Sequence, residues 1–131
     1  MTIKLIKKLC VAVSLLIISS PVSAHHGAAA YDTSKPATVK GKVVEFLFIN
    51  PHCQIYIEAP DEKGNAVKWV GEFTNPSTLH RRGWTKEMFK PGDPITLIGD
   101  RAKNGATVIR VLKVGLADGR TLPALGGGDE Y

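Results

Sequence analysis

Alternating apolar and polar positions predict that the chain is built mainly of β-strands. The longest such stretch, residues 38–49, has Lys40 and Lys42 on a polar side, and both fall in its first half. Apart from Glu45, its second half is apolar on both sides, which indicates a strand that becomes buried on both faces along its length. Gly41 lies before this change, and we expect it to supply a bend in the strand.

The same alternation, with turn signals between the stretches, predicts four further strands. They are residues 54–59, 67–73, 95–100 and 107–114, with a last short extended piece at 120–122. A polar, glycine-containing segment at residues 61–65 is typical of a hairpin turn. Asn104-Gly105 is a strong signal for a two-residue hairpin. Strands 2 and 3, and strands 4 and 5, are therefore predicted to form hairpins.

One short helix is predicted between the third and fourth strands. Thr74 or Asn75 is suited to cap its first turn, and Pro76 is suited to its first position. Arg81 and Arg82 fall in its last turn, where cations complement the helix dipole.

The order of these elements, three strands, a helix and two strands, is that of an OB-fold. The sequence therefore predicts a small five-stranded OB-like barrel, mainly β, with one short helix between strands 3 and 4, over residues 37–123. A small sandwich and an SH3-like barrel remain open as alternatives. Residues 25–36, which include several small residues, are predicted to form an extended N-terminal arm. Residues 124–131 are predicted to form a flexible, glycine-rich tail.

Residues 1–24 have the pattern of a cleavable secretory signal peptide. Lys4, Lys7 and Lys8 precede an apolar run at residues 9–18. Small residues then stand before a cleavage site at His25. The alternative is an uncleaved membrane anchor, but the apolar run is short for a bilayer span. We therefore expect a periplasmic or secreted bacterial protein that meets the membrane only during export.

Removal of the signal peptide changes both the charge and the cysteine content. The mature chain would have 107 residues, and the loss of three lysines lowers its formal net charge from +5 to +2. So small a positive excess argues against a nucleic-acid partner. Of the two cysteines only Cys53 remains, which excludes a disulfide within the mature chain.

Several short motifs occur together along the mature chain. They are His25-His26, Asn50-Pro51-His52, Trp69, Asn75-Pro76-Ser77 with Leu79, Arg81-Arg82-Gly83-Trp84, Lys90-Pro91-Gly92-Asp93, Arg101-Ala102-Lys103-Asn104-Gly105 and Asp118-Gly119-Arg120. In this combination the chain resembles the domain-of-unknown-function family 6152, small exported bacterial proteins, from His25 to about Leu122. The resemblance implies an exported β-barrel domain and supplies no activity, so the function has to be argued from the residues.

The histidine pair at the predicted mature N-terminus is the strongest candidate for chemistry. Cleavage before His25 creates a free α-amine beside the imidazoles of His25 and His26, and Cu(II) favours a tetragonal set of nitrogen ligands. His52, between the first two strands, is a candidate third ligand, and His80 on the helix is another. Because neutral imidazole is the binding form, affinity is expected to fall below about pH 6. The alternative is an exposed histidine pair on a mobile arm that binds no metal.

Two further groups have both a functional and a structural interpretation. Cys53 is a soft donor that suits Cu(I) or zinc, and it is also typical of a small buried thiol at a strand start. Arg81, Arg82 and Trp84 are candidates for binding an anionic ligand, because arginine forks bind carboxylate and phosphate at two points. In the structural interpretation the arginines interact with the negative end of the helix dipole, and Trp84 closes the end of the barrel.

Motifs for catalysis are missing from the sequence. There is no glycine-rich phosphate loop, CxxC, HExxH or GxSxG, and Glu45, Glu58 and Glu72 are scattered over separate predicted strands. The sequence thus favours a binding or accessory protein over an enzyme, with a small ligand or another periplasmic protein as partner. Copper bound by the N-terminal histidines is the first hypothesis, and a non-metal ligand or protein bound at residues 81–84 or at a barrel face is the second. A hydrolase or redox role for Cys53 is the third and has the weakest support.

Overall fold

The computed structural model describes residues 27–125, which form a mainly β structure. After a 3₁₀ turn at Ala28–Ala30, the strands are β1 (Tyr31–Leu47), β2 (Gln54–Pro60), β3 (Ala66–Glu72), β4 (Pro94–Ala102), β5 (Val108–Leu116) and β6 (Thr121–Pro123), and the helix α1 is Pro76–Arg81. The predicted signal peptide, the histidine pair His25-His26 and residues 126–131 of the predicted tail lie outside the described residues.

Five of the strands close into a barrel. β1 pairs with both β2 and β4, β2 pairs also with β3, and β4 pairs with β5, all antiparallel. The parallel pairing of β3 with β5, where Val70 lies opposite Val108, closes the circle. β6 adds beside the second half of β5. Because α1 lies between β3 and β4, the OB-like prediction is confirmed, and the closed barrel excludes the sandwich alternative.

The first strand is longer than its apolar pattern predicts and changes partner along its length. β1 begins at Tyr31, because backbone pairing with Ala102 and Arg101 extends it where the sequence has no alternation. At Lys42 it faces both β4 and β2, and beyond this point it pairs with β2 alone. A Cβ atom at Gly41 would lie only 2.3 Å from the carbonyl oxygen of Glu58. Glycine is therefore required at this crossing by close backbone approach.

Apolar side chains from the strands fill the barrel, and aromatic rings close one end of it. The fully buried aliphatic residues include Ile55, Ile57, Leu97, Ile109, Val111 and Val114. At the end beside α1, the rings of Phe46, Phe73, Trp84 and Phe89 pack with centroids 5.2–6.4 Å apart. At another point of the rim, the guanidinium of Arg101 lies 4.9 Å from the ring centre of the half-buried Trp69. Aromatic contacts thus cover the core at the end beside α1, and a cation–π contact covers it at Trp69.

The helix has the capping that the sequence predicts. The Asn75 side chain accepts a hydrogen bond of 2.9 Å from the backbone N–H of Thr78, and Pro76 occupies the first helical position. Leu79 is fully buried and fixes the helix to the core. Within residues 27–125, no helix is long and apolar enough to cross a membrane.

Candidate functional site

The outer face of β2 and β3 is the surface on which OB-folds hold ligands, together with the loops that join β1 to β2 and β4 to β5. Strand alternation divides the two faces: Ile55 and Ile57 are fully buried inside, whereas Gln54 and Tyr56 lie outside and are only half-buried. Gln54 pairs with Glu72 of β3, which is therefore on the same outer face. The outer face of β2 and β3 is therefore the candidate ligand-binding surface.

The N-terminal arm is held against the loop that joins β4 to β5. The backbone N–H of Lys103 donates to the carbonyl oxygen of Ala30, and its Nζ donates to that of Ala29, both at 3.0 Å. The N–H of Ala30 donates in turn to the carbonyl of Gly27 at 2.9 Å. The chain is thus held beside this loop at Ala29 and Ala30, and a turn within the arm joins Ala30 to Gly27.

Tyr31 continues the arm onto the outer face of the barrel. Only 4% of Tyr31 is exposed, and its hydroxyl donates a hydrogen bond to Oε2 of Glu72. The guanidinium of Arg110 lies 5.6 Å from the centre of the Tyr31 ring. Arg110 also donates to Oδ2 of Asp100 from Nη2 at 2.5 Å and from Nε at 3.2 Å. Tyr31, Glu72, Asp100 and Arg110 form what we call the outer polar cluster.

The outer polar cluster is well covered by the protein. Asp100 is 3% exposed and Arg110 is 8% exposed, so their opposite charges are held together away from water. Asp100 and Arg110 face each other across β4 and β5, and Arg110 is also the register partner of Glu72 across β5 and β3. The cluster therefore ties three strands and the arm together at the seam where the barrel closes.

His52, the third predicted metal ligand, lies between β1 and β2 next to this face. The backbone ladder of β2 continues past the strand end, because the N–H of Cys53 donates to Thr74 at 3.0 Å and its carbonyl accepts from Phe73 at 2.9 Å. His52 is half-buried, and its Nδ1 is enclosed by the protein. His52 precedes by two residues Gln54, which is the register partner of Glu72.

The other histidine candidate is elsewhere. His80 is exposed on α1, at the end of the barrel. Among residues 27–125, no three His, Cys, Asp or Glu side chains are grouped to hold a metal ion. His80 thus lies on the helix, away from β2 and β3, and the grouping of His25, His26 and His52 stays a prediction.

Cys53 is the small buried thiol of the structural interpretation. It is fully buried on the inner face, and burial raises its pKa to about 11, so the thiol keeps its proton at neutral pH. Because the thiol is buried and keeps its proton, Cys53 is not suited to act as a nucleophile beside His52.

The corner at residues 81–84 holds the C-terminal end of the described chain. Trp84 is 1% exposed, and its Nε1–H donates to the carbonyl of Pro123 at 3.2 Å. Arg82 donates from Nη1 to the carbonyl of Ala124 at 2.7 Å. Arg81 is exposed and donates to the hydroxyl of Thr78 at 3.1 Å. These contacts agree with the structural interpretation. Trp84 offers no open face to a ligand, and anion binding by the two arginines stays a prediction.

Sequence reasoning missed the outer polar cluster. Its members come from the arm region and from three different strands, and no local spacing links them. The available signal was Arg110, a charged residue inside the apolar run of β5 between the fully buried Ile109 and Val111. A charge in that position indicates a partner on a neighbouring strand, since buried charges are paired.

Comparison with known proteins gives a family and no activity. A search of curated proteins found no match. The sequence model of a family described as of unknown function, DUF6152, matches residues 12–110. The match covers well over half of the chain and includes the histidine pair, His52, Glu72 and both members of the buried ion pair. The chain belongs to the family of unknown function DUF6152.

Proposed function

We propose that the mature protein is an exported accessory protein that binds Cu(II) at the outer face of β2 and β3. The α-amine and imidazole of His25 would supply two nitrogen ligands, with His26 and His52 as the sources of further imidazole. Cu(II) favours such tetragonal nitrogen sets. The task would be to hold or deliver the metal ion, since the residues suggest no catalytic machinery beside it.

The contact between Tyr31 and Glu72 is the observation that carries this proposal. It lays Tyr31 on the outer face of β3, and Glu72 pairs with Gln54, two residues after His52. Lys103 holds the arm at Ala29 and Ala30, and a turn joins Ala30 to Gly27, two residues after His25. Extended chain covers about 3.3–3.6 Å per residue, so the Cα of His25 is within about 7 Å of that of Gly27.

Export would create the site. The α-amine of His25 exists only after a signal peptidase has cleaved the chain before it, and uncleaved protein would lack that ligand. Metal binding would then be confined to the periplasm or the extracellular space. The interpretation as a periplasmic protein and the interpretation as a copper protein therefore depend on the same cleavage.

A titration of the exported protein with Cu(II) tests the proposal. Intact mass first establishes that the chain begins at His25, and a competing chelator then gives the affinity. The double variant His25→Ala, His26→Ala should lose the site, and His52→Ala should weaken it by about tenfold or more, the effect of losing one ligand.

His80→Ala is the matched control, because His80 is an exposed histidine on the helix and should leave the affinity unchanged. Equal Cu(II) affinity of the wild type and the double variant would rule out this function and favour a non-metal ligand. An effect of His80→Ala as large as that of His52→Ala would contradict the location on the outer face.

A further inference from the structure

A surface groove of about 200 Å³ crosses the part of the barrel formed by β1, β4 and β5. One row of register partners runs through it: Lys40 of β1 lies opposite Thr96 of β4, and Thr96 lies opposite Gly115 of β5. Thr96 stands between the buried residues Ile95 and Leu97, so its side chain is on the outer side of the sheet. The groove is therefore open to solvent, and it lies on strands other than β2 and β3.

The shape of the groove depends on the missing side chain at Gly115. A Cβ atom there would lie 3.3 Å from the Cβ of Thr96, closer than most Cβ contacts in proteins. Pro94, Leu116 and Ala117 supply apolar lining. Drug-sized ligands occupy pockets of about 300–1,000 Å³, so a groove of this volume suits a smaller molecule with a short apolar chain.

The polar groups of the groove favour an anion. Lys40 is exposed and takes part in no ion pair within residues 27–125. The hydroxyl of Thr96 is a second hydrogen-bond donor beside it. The residues that line the groove include no aspartate or glutamate, and the nearby Asp118 is held by Arg120 at 2.7 Å. The positive charge of Lys40 is therefore available to a ligand in the groove.

We propose that this groove binds a small aliphatic carboxylate. The Lys40 ammonium and the Thr96 hydroxyl hold the carboxylate, and the short chain of the ligand lies against Pro94, Leu116 and Ala117. Hydrogen bonds between ionised partners are roughly twice as strong as those between neutral ones, so the charge of the ligand decides its affinity. The groove contains no metal ligand of the proposed function, and the inference does not depend on copper.

A titration of the exported protein with sodium butyrate, followed by the amide signals in two-dimensional NMR spectra, tests the inference. The signals of Thr96, Gly115 and Leu116 should shift and reach saturation. Butyramide has nearly the same shape and no charge, and it should bind about tenfold or more weakly, the usual effect of losing a hydrogen bond to a charged group. Lys40→Gln should weaken butyrate binding by a similar factor.

Lys68→Gln is the matched control, because Lys68 is an exposed lysine on β3 outside the groove and its loss changes the net charge equally. It should leave the affinity for butyrate unchanged. Amide shifts that do not saturate, equal binding of butyrate and butyramide, or equal losses in Lys68→Gln and Lys40→Gln would overturn the inference. The comparison of butyrate with butyramide uses the wild type alone, so the test does not depend on the stability of a variant.

Discussion

At the scale of single residues, neighbouring positions on one extended segment have different environments. His52 is half-buried, and the adjacent Cys53 is fully buried inside the barrel. Its position in the core removes the Cys53 thiol from the surface. A redox or nucleophilic role for Cys53 would require a thiolate, and burial opposes its formation.

The Cys53 thiol should make the folded protein sensitive to alkaline pH. Its pKa is raised by burial from 9.0 to about 11. The folded state therefore keeps a proton that the unfolded chain loses, so the stabilisation is complete below pH 9 and is lost as pH rises through 11. A shift of two units corresponds to at most about 2.7 kcal/mol. Chemical denaturation at several pH values should show a steeper loss of unfolding free energy between pH 9 and 11 for the wild type than for Cys53→Ala.

The Cys53→Ala comparison isolates this effect, because the other alkaline groups titrate equally in both proteins. The substitution also removes a buried sulfur, which lowers stability at every pH and leaves the slope to be compared. Parallel curves for the two proteins between pH 9 and 11 would show that the folded state does not hold this proton.

At the scale of elements, local sequence signals were sufficient where each element is defined by its own residues. Alternation located β2 to β5, and Asn75 and Pro76 marked the start of α1. The start of β1 at Tyr31 was missed, because there the strand exists through backbone pairing with Arg101 and Ala102. Backbone pairing of this kind does not require alternating side chains, so the sequence pattern does not predict it.

The candidate site was predictable only in part, because its contacts also depend on pairing between distant strands. His52 was selected by residue type and by its place between two strands. Glu72 and Tyr31 are 41 residues apart in the chain, and only the closed barrel brings the hydroxyl to the carboxylate. Contacts of this kind depend on strand register across several elements, which one sequence does not reveal.

The Arg82 side chain helps to hold the C-terminal strand β6 and the residues that follow it. Arg82 donates to the carbonyl of Ala124 at 2.7 Å, and the N–H of Ala124 donates to Leu112 of β5 at 2.9 Å. Arg82→Gln should lower the free energy of unfolding by about 1.5–3 kcal/mol, the range for hydrogen bonds to charged groups. Amide hydrogen exchange should become faster at Ala124 while staying slow in β2.

Arg81→Gln is the matched control for this prediction. Arg81 is the preceding arginine, is exposed, and hydrogen-bonds to Thr78 within its own helix. It should change the unfolding free energy by less than about 0.5 kcal/mol, as exposed substitutions usually do. Equal effects of the two substitutions, or unchanged exchange at Ala124 in Arg82→Gln, would mean that the Arg82 bond does not hold the C-terminal strand.

At the scale of the whole molecule, the barrel is closed at a seam that carries a buried ion pair. The parallel contact of β3 with β5 is short, running from Val70 opposite Val108 to Glu72 opposite Arg110. Arg110 and Asp100 also join β5 to β4 beneath the Tyr31 ring. The pair is therefore placed to hold the seam and the arm in one register. Its contribution to stability and its contribution to register can be measured separately.

Removing one member of the pair should cost far more stability than replacing both. Arg110→Met leaves Asp100 charged and only 3% exposed, and an uncompensated buried charge typically costs about 3–5 kcal/mol. The double variant Asp100→Leu, Arg110→Met buries no charge and should recover most of that loss in chemical denaturation. If the pair also fixes the arm, the double variant should show fast amide exchange at Ala30, whose N–H donates to Gly27, despite its recovered stability. Slow exchange at Ala30 in that variant would assign the arm's position to Lys103 and Tyr31 alone.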